Sequence, residues 1–283
     1  MATYKKRKFH FSRHWKLHLL TAMWAMVVAA MVVVAAKISR RAHADMAISQ
    51  AMIEPLCSLA LPANVPDTAV HLSGFTVHFN ARRHVPNYVA YVLTHHPSRH
   101  KTHCSPAFYA CPTVEGCPMP NDYYRSHYHR GHMAPAADFA HDSTALAESF
   151  AMVNVCPQTA LLNSGPWRRL EEKVREWVQR DSVLLVFAGP IFSGSAHTIG
   201  PHTQVQVPSH YFKVVLSPWS KPAGAIAFIM PNDSTASAAS LTRYIVSVDE
   251  VERRTGFRFF TALPQHMQQR LKTTCNDYQW FQF

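Results

Sequence analysis

The chain has 283 residues, 28 of them lysine or arginine against 17 aspartate or glutamate, for a formal net charge of +11. With 48% apolar and 16% charged residues it is not a disordered polyelectrolyte, and its length suits one large folded body or two small ones. Nor does the charge mark a nucleic-acid surface. Nine basic residues (Lys5, Lys6, Arg7, Lys8, Arg13, Lys16, Lys37, Arg40 and Arg41) precede the first acid, Asp45, leaving 19 basic against 17 acidic residues beyond them.

Between Leu17 and Ala36 the only ionisable side chain is His18. Twenty residues at about 1.5 Å each span roughly 30 Å, the hydrocarbon thickness of a bilayer. The denser positive charge ahead of this run predicts a transmembrane anchor whose N-terminus stays on the cytosolic or matrix side. A cleaved targeting segment is the alternative, because Ala42-His43-Ala44 has the small-x-small form of a cleavage site. Residues 1–16 are then a basic flank, and 37–70, with Pro55, Pro62 and Pro66, a linker to a body over 71–283.

Near alternation of apolar and polar residues predicts strands over 75–79 and 88–93. The stretch 95–122 is loop-like and rich in Pro, His and Cys. A short helix is expected over 145–150. The strongest helical pattern lies over 164–180, where Trp167, Leu170, Val174, Trp177 and Val178 fall on one stripe, with Pro166 in the first turn. Apolar runs predict strands over 183–188, 211–216 and 225–230. A last helix is expected over 247–255, with Ser247 and Glu250 as a capping box and Gly256 as its stop. The order predicts an α+β body with one helix lying near a mixed or antiparallel sheet.

Six cysteines (Cys57, Cys104, Cys111, Cys117, Cys156 and Cys275) are too few to scaffold a fold of this size. Cys104, Cys111 and Cys117 are separated by six and five residues, wider than zinc knuckles use, so disulfides in an oxidising compartment are the better reading. Cys156, in an apolar stretch, is expected to be a buried free thiol.

Residues 127–132 read His-Tyr-His-Arg-Gly-His, followed by Asn163 and then Glu171. Hydrolysis of a phosphodiester needs an activated water, a cation on the phosphate oxygens and help for the leaving alkoxide. An imidazole at His132 suits base work near neutral pH. Arg130 can grip a phosphate through two parallel hydrogen bonds, and Gly131 would let the backbone approach one. The eight-residue step from Asn163 to Glu171 would put both on one side of a continuous helix. Magnesium prefers oxygen ligands and keeps most of its waters, which suits one amide oxygen and one carboxylate. Taken singly, each of these has an ordinary role: one surface histidine among nineteen, a helix cap, a solvated glutamate. Only their joint spacing points to chemistry.

At this point the chain resembles the ββα-metal family of DNA/RNA non-specific nucleases, in particular its mitochondrial endonuclease G branch. The likeness rests on Arg130-Gly131-His132-Met133-Ala134-Pro135, on Asn154-Val155-Cys156-Pro157-Gln158, and on Asn163-Ser164-Gly165-Pro166-Trp167 with Leu170-Glu171. It extends to Ala188-Gly189-Pro190, to the stretch from Val207 to Val214, and to Met230-Pro231-Asn232. The resemblance implies a ββα-metal (His-Me finger) nuclease fold. It implies His132 as general base, Asn163 as the direct ligand of Mg²⁺ (or Mn²⁺), and Glu171 as holder of the cation through water. It further implies Asn154 and Gln158 as supports of the site, Arg130 as a phosphate contact and Arg125 as a phosphate clamp. DNA and RNA cut to 5′-phosphate ends, a homodimer, and a place in the mitochondrial inner membrane facing the intermembrane space are also implied. The family's motif usually begins with Asp, where this chain has His129. That departure leaves a catalytically weak nucleic-acid-binding protein as the alternative function; separately, disulfides among Cys104, Cys111 and Cys117 would favour a secreted or surface salvage nuclease as the alternative setting.

Overall fold

The structure is a computed structural model that describes residues 13–44, 48–96, 106–194, 197–237, 240–274 and 278–281. The chain forms two compact units, residues Met1–Ala47 and Ile48–Phe283. Among its described residues the first contains one helix, α1 (Arg13–Ala44). Among the described residues no helix is long and apolar enough to cross a membrane. The membrane anchor expected between Leu17 and Ala36 is thus without support among the described residues.

In the second unit the strands are β1 (Thr68–His71), β2 (Thr76–Asn80), β3 (Val85–Thr94), β4 (His129–His132), β5 (Val155–Gln158) and β6 (Val183–Ile191). They continue with β7 (Thr198–Ile199), β8 (Val205–Gln206), β9 (His210–Ser217), β10 (Gly224–Pro231) and β11 (Ile245–Val246). The helices are α2 (Ile53–Leu56), α3 (Ser143–Glu148), α4 (Ala160–Leu162), α5 (Arg168–Asp181), α6 (Val248–Thr255), α7 (Gln265–Thr273) and α8 (Tyr278–Phe281). Seven strands form one antiparallel sheet in the order β1-β2-β3-β6-β9-β10-β11, while β4 and β5 pair only with each other, as do β7 and β8.

The large sheet is covered on both faces, which explains its unbroken apolar strands. Along β6, Leu184, Val186 and Ala188 enter one core while Val183, Leu185 and Phe187 enter the other. The first core takes the predicted stripe, with Trp167 just before α5 and Leu170, Val174, Trp177 and Val178 on it all buried, together with Val155 and Cys156 of β5. Val248 and Val251 of α6 and Met267 and Leu271 of α7 close the second.

Three boundaries differ from the sequence expectations. Residues 48–70 are no tether: Ile48, Ile53, Leu56 and Leu59 are buried in the second core, and Ala60 bridges to Arg258. Strand β6 runs through Gly189 and Pro190 to Ile191 because pairing with β9 continues to His210. The helix expected over 164–180 starts as α4, interrupted by a wide turn before α5. Elsewhere the local signals suffice: Ser247 Oγ accepts from Glu250 N at 3.1 Å, and Gly256 ends α6 at φ +76°.

Candidate active site

The site is assembled on the first-core side of the sheet from the hairpin β4–β5 and the segment that leaves it. The register sets His129 opposite Gln158, Gly131 opposite Cys156 and His132 opposite Val155. Gly131 is required here by the protein's own packing. A β-carbon on it would stand 2.2 Å from Gln158 Oε1 and 2.5 Å from its Cγ. The space that the sequence offered to a phosphate is filled by the Gln158 side chain.

Beyond β4 the chain is clamped by Asn154. Its Oδ1 accepts from Ala134 N at 2.9 Å, and its Nδ2 donates to the carbonyls of Ala134 (2.9 Å) and Ser149 (2.8 Å). This fixes the turn just after His132. The end of β5 is fastened in the same way: Pro157 O accepts from Tyr211 Oη at 2.6 Å and from Asn232 Nδ2 at 3.0 Å. Asn232 Oδ1 in turn accepts from Thr159 N at 2.8 Å.

The His132 ring lies between Phe108 and Phe150, at ring separations of 5.1 and 5.0 Å. Its Nε2 is buried with no hydrogen-bond partner among the described residues. Burial disfavours the imidazolium, and the pKa falls from 6.5 to about 4. The ring is therefore neutral, and able to accept a proton, throughout the neutral range.

Asn163 follows α4, which Thr159 caps by accepting from Leu162 N at 3.3 Å. Asn163 is thus not a helix N-cap: its own N donates to Thr159 O at 2.9 Å, and it closes α4 as its C-cap. It opens a π-helical turn, Asn163–Trp167, inside which Gly165 takes the non-helical pair φ −102°, ψ −115°. Pro166 has no N–H to continue a regular ladder, so the turn widens there. Asn163 and Glu171 consequently do not share one continuous helix, and counting in steps of four does not relate them. Two contacts tie this turn to β4: Trp167 Nε1 donates to His132 O at 3.3 Å, and Asn163 Nδ2 lies 3.3 Å from His129 Nδ1.

Half-buried Glu171 lies within electrostatic reach of Lys213, Asp138 and Arg175, of which Lys213 and Asp138 are buried and Arg175 is half-buried. Arg175 Nη1 donates to Asp138 Oδ1 at 2.9 Å, and Tyr91 Oη donates to Asp138 Oδ2 at 2.8 Å. Burial raises the pKa of Glu171 to about 7, opposed first by the positive charge of Lys213 and reinforced by Asp138. Lys213 is fully buried on β9, its Nζ 4.5 Å from the centre of the Trp167 ring and without a hydrogen bond among the described residues. Burial lowers its pKa, and the charge of Glu171 opposes that shift. Two acids and two bases thus offset one another behind the site.

The structure brings His132, Asn154, Gln158 and Asn163 onto one hairpin and its following turn. Arg130 is turned inward: its Nε and Nη2 donate to Pro120 O at 3.3 and 2.8 Å, and its guanidinium lies 5.4 Å from the Phe108 ring. Arg125 stands exposed at φ +53°, its guanidinium 5.1 Å over the Tyr124 ring. Phe108, Asp138, Arg175 and Lys213 were not anticipated as site residues. For Lys213 a signal existed: a lone lysine inside the apolar run 211–216 has to be buried with its strand. Of the cysteines, Cys156 is the expected buried free thiol, and Cys111 and Cys117 are free; Cys104 and Cys275 lie outside the described residues.

Among the described residues no group of three or more His, Cys, Asp or Glu side chains could hold a metal. The Asn163 amide is different: its nitrogen faces His129, and none of the described residues donates to its oxygen. One free amide oxygen fits a hard cation that keeps most of its own water.

The comparisons with known proteins agree with this architecture. A family model described as DNA/RNA non-specific endonuclease matches residues 54–266. "Nuclease EXOG, mitochondrial" of Danio rerio is 36% identical over 166 residues, covering 54% of this chain and 48% of that protein. "Mitochondrial nuclease" of Saccharomyces cerevisiae is 31% identical over 161 residues, covering 50% and 49%. The chain therefore spans about half the length of these curated relatives. A chain from a crystal structure of the EndoG/EndoGI complex superposes with a TM-score of 0.67 at 24% identity, covering 71% of this chain and 89% of that one, and so shares the fold. With three quarters of its length matched by the family model, and with the hairpin, turn and helix in place, the chain belongs to the DNA/RNA non-specific endonuclease family.

Proposed function

We propose that this chain is a hydrolase that cuts phosphodiester bonds of DNA and RNA by attack of water and leaves 5′-phosphate ends. The observation that carries this reading is a desolvated, neutral imidazole at His132, on a strand joined by two contacts to the turn bearing Asn163. A divalent cation, Mg²⁺ with Mn²⁺ as a substitute, would be held directly by Asn163 and through water by Glu171. When bound it supplies positive charge to the phosphate oxygens as negative charge builds on them.

His132 takes a proton from water as the water oxygen bonds to phosphorus and the bond from phosphorus to the 3′ oxygen breaks. The leaving oxygen is protonated by solvent. Phe108 and Phe150 keep the imidazole from being protonated beforehand. Asn154 and Gln158 keep the strand that carries His132 in register. Arg130 supports the loop at Pro120, and Arg125 is an exposed group for the phosphate backbone. Contacts of this kind carry no base preference. The names of the relatives from Danio rerio and Saccharomyces cerevisiae support a mitochondrial location.

The test is a digest of closed circular DNA, end-labelled linear DNA and RNA with Mg²⁺ present and absent, for the wild type and His132→Ala. Mg²⁺-dependent cutting of the circle with loss of nearly all cleavage in the variant is expected. Wild-type rates in His132→Ala would remove the assignment.

A further inference from the structure

We infer that Cys111 and Cys117 form a reversible dithiol/disulfide pair, a site for exchange with small disulfides such as oxidised glutathione, and that its closure slows the reaction at His132. The pairing stands on the geometry of the two cysteines; only its effect on cleavage rests on the function proposed above. Both thiols are free and half-buried, and Cys111 N donates to Cys117 Sγ at 3.2 Å. Two successive turns return the chain to this contact. Val114 N donates to Cys111 O at 3.0 Å, and Cys117 N donates to Val114 O at 3.1 Å. Gly116 completes the second turn at φ +74°, and its carbonyl accepts from His84 Nδ1 at 2.8 Å. The ends are thus held together before any bond joins them, so little chain entropy is lost on closure.

The side chains meet as well. The Cys117 thiol donates to the Cys111 sulfur, a backbone hydrogen bond from Val153 adds to it, and together they outweigh burial and lower the Cys111 pKa to about 7. The same bond, with burial, raises that of Cys117. Cys111 is therefore the attacking sulfur near neutral pH and Cys117 the resolving one. Cys57, pushed up to about 11 by burial, and the wholly buried Cys156 are poor competitors. The Cys111 thiolate attacks one sulfur of the small disulfide, forming a mixed disulfide and releasing a thiolate that takes the Cys117 proton. Cys117 then attacks Cys111 Sγ, and the second small thiolate leaves and is protonated by solvent. The two cysteines are oxidised by two electrons, and the small disulfide is reduced to two thiols. The pair sits on the segment that walls the base. Phe108 faces His132 at 5.1 Å, Tyr109 N donates to Phe150 O at 3.2 Å, and Met152 N donates to Tyr109 O at 2.8 Å. Closure removes the thiolate that Val153 holds, one residue before the Asn154 clamp.

The experiment equilibrates the full chain in glutathione buffers of graded thiol-to-disulfide ratio and blocks the remaining thiols by alkylation. Peptides are then weighed after cleavage at Phe108 and Tyr109, which separates Cys104 from the pair. Oxidation should yield one species short of two hydrogens, with Cys111 and Cys117 protected together. Its kcat/KM on DNA should be at least about tenfold lower, and dithiothreitol should restore it. Cys117→Ser should stop with one glutathione on Cys111, whereas Cys111→Ser should leave Cys117 unmodified. The double variant Cys111→Ser/Cys117→Ser should cleave equally at every ratio. Separate glutathiones on the two cysteines of the wild type, pairing of either with Cys104, or a bond that dithiothreitol does not open overturns the reversible pair. A closed pair with undiminished cleavage overturns its effect on His132. Failure of the reduced wild type to cut DNA would instead remove the proposed function, while the masses still decide the pair.

Discussion

Gly131 and Gln158 interlock across the hairpin: the Gln158 side chain occupies the volume where a β-carbon on residue 131 would lie, 2.2 Å from its Oε1. Gln158 is wholly buried, and neither atom of its amide has a hydrogen-bond partner among the described residues. Its fit is therefore steric, and the strand carrying His132 is shaped around it.

Gly131→Ala should consequently act by displacement of Gln158 and the strand. Overpacking of this kind costs about 1–3 kcal/mol. A loss of that size in urea unfolding is expected, together with at least about a tenfold fall in kcat/KM, since small misplacements near reacting groups are expensive. A variant as stable and active as wild type would show that the hairpin yields freely at this point.

The neutral state of His132 has a consequence for stability against pH. Its folded pKa of about 4 lies below the ordinary value of 6.5, so on acidification the unfolded chain binds the proton first. Stability is full above pH 6.5 and falls as the pH drops toward 4, by about 3 kcal/mol from this group. In His132→Gln that contribution is absent. Urea unfolding of both proteins at several pH values from about 4 to 7.5 measures the difference in slope. Parallel curves would mean that the imidazole is solvated in the native state.

Lys213 offers a test of the buried charge set. Removing one partner of such a set leaves the opposing charge uncompensated, at about 3 kcal/mol. Lys213→Met should lose that much stability and push the Glu171 pKa further up, because Lys213 is the strongest influence holding it down. In the double variant Lys213→Met/Glu171→Gln much of the loss should return. Additive effects in the cycle would show the two groups to be independent.

Removal of the cation provides the fourth expectation. A chelator should abolish cleavage, and added Mg²⁺ should restore it fully. Asn163→Ala should lower kcat/KM by about 100-fold or more at moderate Mg²⁺. Asn163→Asp, which retains an oxygen in place, should keep much of the rate. Cleavage that persists in the chelator would exclude a cation from the reaction.

The elements that the sequence made legible are those whose signal is local. The stripe of α5, the apolar run of β6 and the Ser247 and Gly256 ends of α6 depend on neighbours within about one helical turn or one strand, and they stand where the spacing put them. The residue blocks around His132, Asn154 and Asn163 likewise pointed to the family that the chain belongs to. Three kinds of fact had to come from the folded chain. The interruption at Gly165 and Pro166 undid the helical count from Asn163 to Glu171, since a wide turn changes the rotation per residue that such counting assumes. Arg130, which reads as a phosphate contact, has its guanidinium drawn to Pro120 O by a loop ten residues earlier, a meeting that no local pattern encodes. The association of Glu171 with Asp138, Arg175 and Lys213, which come from separate elements, arises because burying one charge obliges others to follow it inside. Sequence alone thus determined the family and which side chains are candidates for the chemistry, while tertiary packing decided their surroundings and orientation, because desolvation and hydrogen-bond partners come from residues far away along the chain.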